Sequence, residues 1–169
     1  VRFAYLLRAL VVTAECAWTS RFYRLPAATD GYVKLLWVSI WMLVLGLWGA
    51  GLMPRYRVAI LHLVFLGGFS LMTFAVGTMV VLSHAGEAPR LRQPLWALRV
   101  VGLGVAGSLI ARLVAEAHPA KFFPWLGVAA VCWMAAGISW LACILPRVMR
   151  SPAPGAFEHM HAEAKRRLL

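Results

Sequence analysis

The stretch VAILHLVFLGGFSLMTFAVGTMVVL, from Val58 to Leu82, runs for 25 residues without a formal charge. The hydrocarbon core of a bilayer is about 30 Å thick and takes about 20 apolar residues as a helix. This stretch is long enough to cross it. Working outward, Leu35 to Met53 gives 19 uncharged residues and Phe122 to Leu145 gives 24. Leu95 to Ala115 predicts a further span. Its Arg99 and Arg112 lie near the two ends, where long side chains reach the interface.

The composition agrees. The chain has 169 residues, 62% apolar and only 14% charged, with a mean hydropathy of +0.77. A soluble domain is usually about 45–50% apolar and about 25% charged. Eight Trp and eight Phe exclude disorder. Collagen-like, low-complexity and disulfide-framework classes are excluded with it. Cys132 and Cys143 are eleven residues apart on one apolar stretch, which is about 16 Å along a helix. A disulfide needs Cα atoms within about 7 Å, so both read as small buried hydrophobes. No CxxC, P-loop or HExxH motif occurs.

The stretch from Phe3 to Trp18 is weaker, because Arg8 and Glu15 interrupt it and Arg2 precedes it. It reads as an interfacial amphipathic helix or as the remnant of a preceding span. The connections carry turn chemistry: Pro54, then Gly86 and Pro89, then Pro119, with Pro146 stopping the last helix. The predicted fold is all-α, a polytopic transmembrane bundle of about four spans plus an N-terminal interfacial helix. Residues 1–30 form the N-terminal segment, 31–147 the bundle and 148–169 a basic tail.

Alternating spans sort the charges. The face at the start of the Leu35 span receives thirteen Lys and Arg, and the other face receives four. The positive-inside rule puts the richer face, and with it both termini, in the cytoplasm. The net charge of +11 is then a property of topology and of attraction to anionic membrane lipids, with no nucleic acid involved.

Five histidines are present. His62 lies one turn inside the Val58 span and His84 just past its end. They are 22 residues apart, so at 100° per residue they face within about 40° of each other and lie about 33 Å apart. They cannot share one metal. His118, at the end of the next span, lies at the same face as His62, and an antiparallel neighbour would bring the two together as a metal or haem pair. The alternative is that each ring is an interfacial polar group. His159 and His161 read as part of a solvated tail. The glycines at Gly46, Gly49, Gly51, Gly67, Gly68, Gly102, Gly104 and Gly107 read as close helix contacts. Arg112 and Glu116, spaced i and i+4, read as an ion pair or as a snorkelling Arg beside an acid.

The segment from His62 to Gly86, with Gly67-Gly68, Met72, Thr73 and Ser83-His84-Ala85-Gly86, resembles the NnrS family of membrane proteins. The histidine spacing matches. The preceding span after Gly31-Tyr32 and the Pro146-Arg147 exit match more loosely, so that the resemblance covers roughly Arg21 to Arg150. The family turn carries Gly, Thr and Arg where this chain has Ser83, Ala85 and Glu87. A Trp-His-x-His-Glu-like motif of the family's N-terminal half is absent, so the chain reads as the C-terminal half. The resemblance implies haem b and/or copper, a link to nitric oxide metabolism, and His62 and His84 as candidate ligands.

Three functions follow. The first is a haem- or copper-binding protein of this type. The second is a non-catalytic membrane subunit of a larger complex, which keeps the fold and holds no cofactor. The third is a b-type cytochrome subunit using His62 with His118. All three expect other membrane chains as partners, because few spans leave glycine-lined faces uncovered.

Overall fold

A computed structural model describes residues 2–27 and 30–149. Those residues are helical throughout, with short connections and no strand among them. Helix α1 spans Arg2–Ser20 and α2 spans Gly31–Leu52. The second span is composite: α3 at Arg57–His62, a π-helical segment at Leu63–Ser70, and α4 at Leu71–His84. Helix α5 spans Trp96–Ala117 and α6 spans Phe122–Val148. Four units are long and apolar enough to cross a membrane: Gly31–Leu52, Pro54–His84, Trp96–Ala117 and Pro119–Val148. These are the four spans the hydropathy predicts. Pro146 removes one donor from the last turn of α6, and the helix ends two residues beyond it rather than at it.

The core forms where the spans meet. Leu71 and Phe74 of α4, Val101 and Val105 of α5 and Ala136 of α6 make one buried cluster, with Trp140 against it. The buried Thr78 hydroxyl donates to the Phe74 carbonyl at 2.7 Å and accepts the Trp140 indole N–H at 2.9 Å. One polar group thereby ties α4 to α6 without an unsatisfied atom. Close approach depends on absent side chains. A Cβ on Gly104 would sit 2.8 Å from both the Ala136 Cβ and the Cys132 carbonyl. A Cβ on Gly46 would sit 2.6 Å from Val64 at the start of the π segment.

Helix α1 packs antiparallel along α2. Leu6 meets Gly51, the Thr13 hydroxyl accepts from the Trp48 indole at 3.0 Å, and the Phe22 carbonyl accepts from Trp37 at 2.7 Å. At 1.5 Å per residue its 19 residues reach about 28 Å. It remains peripheral, with Ala9 its one buried residue, and it falls short of the apolar length of the four spans. The start of α1 and the end of α6 fall on opposite faces of the bundle. Tyr5 stacks under Arg57, with the guanidinium 4.6 Å from the ring centroid, so the start of α1 lies at the Met53–Arg57 face. The end of α6 lies at the opposite face, two spans later. Arg2 and Arg8 thereby move to the Met53–Arg57 face, which among the described residues leaves seven Lys and Arg on the His84 face and six on the other.

Candidate functional site

The composite second span places His62 and His84 at opposite ends. Between them, i→i+5 closure over Leu63–Ser70 adds a residue to each turn, marked by the Ser70 hydroxyl bonding the Phe65 carbonyl at 3.1 Å. The angular phase reckoned for a continuous α-helix is therefore lost, and the near-alignment expected of the two histidines does not hold. His62 is half-buried and faces α5, while His84 is exposed. The crowding of Gly46 against Val64, and of Gly67 and Gly68 against Met42 and Leu43, shows the wide turns seated on α2.

Each of the three histidines places Nδ1 on the carbonyl four residues earlier. His62 bonds Val58 at 2.7 Å, His84 bonds Val80 at 2.9 Å and His118 bonds Val114 at 3.2 Å. A carbonyl only accepts, so Nδ1 carries the hydrogen and Nε2 presents its lone pair. A metal-ligating histidine is commonly held in this way.

For His62 the lone pair is already used. Arg112 of α5 donates its Nε–H to His62 Nε2 at 3.2 Å. Arg112 is 9% exposed, its guanidinium carbon lies 5.3 Å from the centroid of the Phe122 ring, and one of its Nη atoms is buried with no acceptor among the described residues. It neither snorkels nor pairs with Glu116, since no ion pair joins those two. It turns inward because His62 supplies an acceptor and Phe122 a ring face for a cation that lipid would not solvate. The partner that His62 meets on α5 is this guanidinium and not His118, which stands exposed at the end of α5. Two tests of fit follow for a haem iron or a copper ion. A metal needs an imidazole nitrogen at about 2.0–2.2 Å, and at His62 both nitrogens are engaged beside a fixed positive charge. His62 does not fit. His84 does fit as a single terminal ligand: Nδ1 is anchored, Nε2 has no partner among the described residues, and the ring is exposed. His118 has the same arrangement with a longer anchor. No three His, Cys, Asp or Glu side chains converge among the described residues, so neither histidine belongs to a three-ligand cluster there. His159 and His161 lie outside the described residues.

The turn that follows His84 is clamped. Arg147, near the end of α6, donates from Nε to Glu87 Oε2 at 2.9 Å and from Nη1 to the Cys143 carbonyl, and Arg90 reaches the same Glu87 oxygen at 3.2 Å. Glu87 stands where the family turn usually carries Arg, and its charge is answered by an Arg from another helix. Gly86, at φ +72°, takes the left-handed conformation that closes the turn.

An all-α bundle with four apolar spans and histidines at both ends defines a polytopic membrane protein. The sequence pattern of the family described as NnrS protein matches residues 2–151, and the chain belongs to the NnrS family. The match takes in α1 as well as the four spans. No curated protein and no solved structure matches the chain.

Proposed function

We propose that this chain is an NnrS-type subunit of the bacterial inner membrane that supplies His84 as one ligand to a haem b or copper centre, the remaining ligands coming from another chain. The observation that carries this reading is His84 itself, anchored through Nδ1 to Val80 with Nε2 exposed beside a clamped turn. A haem or copper centre bound there supplies one-electron chemistry, and the family links such chemistry to nitric oxide. The protein's own part is to fix the imidazole tautomer through Val80 and to hold the turn through Glu87 and Arg147. The more basic face, where His84 lies, is then cytoplasmic. His118 offers a second, weaker ligand at the other face.

A second reading is a non-catalytic subunit, and the closure of His62 by Arg112 favours it. One experiment separates the two. The full chain is purified from the membrane with whatever chains accompany it, and its absorption spectrum and metal content are measured for the wild type, His84→Ala and His62→Ala. The first reading expects a haem band or bound copper that survives His62→Ala and is lost from His84→Ala. A colourless, metal-free chain held stoichiometrically in a larger complex establishes the second reading instead.

A further inference from the structure

The starts of α2 and α5 and the 3-10 turn at Ala88–Arg92 enclose a cleft of about 650 Å³ on the more basic face. Its lining is divided by depth. Lys34 in the first turn of α2, Arg92 in the 3-10 turn and Arg99 in the first turn of α5 lie near the helix starts. Val38 and Leu103 line it further along the same helices, and Leu98 lines it in the first turn of α5. The three cations are exposed, and none forms an ion pair among the described residues. Asp30, the carboxylate nearest in sequence, pairs with none of them. Neither Asp30 nor Leu95 caps its helix through a side chain, so first-turn N–H groups of α2 and α5 add positive potential at the same place.

Three cations without acids, set over apolar walls at a bundle edge, match an anion that carries a hydrocarbon tail. We propose that this cleft binds one anionic phospholipid from the leaflet on that face, with its phosphate among Lys34, Arg92 and Arg99 and an acyl chain along Leu98 and Leu103. Charge complementarity selects this occupant. A zwitterionic lipid brings its own cation to a site that already holds three, and a free phosphate leaves the apolar walls wet. The inference is independent of whether His84 holds a cofactor.

The test uses the full chain in mild detergent, with lipid retention read by native mass spectrometry and protection read by thermal unfolding. Phosphatidylglycerol, phosphatidylcholine and inorganic phosphate are added separately. Phosphatidylglycerol alone is expected to be retained and to raise the unfolding midpoint. The variant Lys34→Gln/Arg92→Gln/Arg99→Gln is expected to weaken that binding on the order of 100-fold, since each basic residue near a membrane surface contributes roughly fivefold. Arg21→Gln/Arg24→Gln removes charge from that face outside the cleft and is expected to retain the lipid. Gly102→Leu fills the cleft without changing charge and is expected to lose it. Its added Cβ meets only Leu35, at an ordinary 3.6 Å. Equal loss in the two charge variants, equal retention of phosphatidylcholine, or the same protection from inorganic phosphate overturns the proposal.

Discussion

Arg112 donates its Nε–H to His62 Nε2 across 3.2 Å, joining the third span to the start of the second. The contact gives a nearly buried guanidinium its acceptor and uses the nitrogen that a metal at His62 would require. His62→Ala leaves the cation without that acceptor and is expected to destabilise the protein by about 1–3 kcal/mol. Arg112→Met removes the charge and frees Nε2. In a double-mutant cycle read by unfolding in detergent, the double variant should be more stable than the sum of the single losses predicts. Strict additivity would show that the two side chains do not depend on each other.

The antiparallel seat of α1 on α2 makes a topological prediction. After replacement of Cys16, Cys132 and Cys143, a cysteine at position 4 should react with an impermeant reagent from the same side as one at position 55. A cysteine at position 90 should react from the opposite side. With the more basic face in the cytoplasm, positions 4 and 55 label from outside. Shared labelling of positions 4 and 90 would place α1 differently from the Leu6–Gly51 and Phe22–Trp37 contacts.

The Glu87–Arg147 pair links the His84 turn to the end of α6, with side chains only 20% and 16% exposed. Arg147→Gln is expected to cost about 1–2 kcal/mol, since charge-assisted bonds contribute more than neutral ones and partial exposure trims the gain. It should also raise proteolysis within residues 85–92, where the turn loses its tether. The exchange Glu87→Arg/Arg147→Glu should recover part of both. If the exchange is as damaging as Arg147→Gln, the contact is not electrostatic in origin.

Gly104 sits where α5 meets α6, and its neighbours there are a backbone carbonyl and a methyl that have no rotamer to yield. Gly104→Val is expected to cost about 1–3 kcal/mol through overpacking. Gly137, which has nothing within 4 Å of an added Cβ, is the control. Gly137→Ala should leave the unfolding midpoint unchanged or raise it, because alanine is the better helix former. Equal losses at the two positions would contradict the α5–α6 packing.

The four spans were legible in the sequence because the bilayer demands one local property, a long uncharged run, which each segment either has or lacks. The turns were legible for a similar reason, since Pro54, Gly86, Pro89 and Pro119 restrict their own backbone. The direction in which α1 runs along α2 was not, because it is decided by Gly51, Trp48 and Trp37 on another helix.

The histidines divide along the same line. Their positions at the ends of a span, and hence the exclusion of a shared metal between His62 and His84, are matters of chain length and were read from spacing. Which ring keeps a nitrogen open was decided by tertiary structure alone. A π segment between residues 63 and 70 shifts the phase of the helix, a feature of packing against α2 that no residue-by-residue count carries. Arg112, 50 residues from His62 in sequence, closes that ring and leaves His84 open. Spacing along one helix records distance and phase, whereas the hydrogen bond that settles a ligand's availability comes from whichever neighbour the bundle brings beside it.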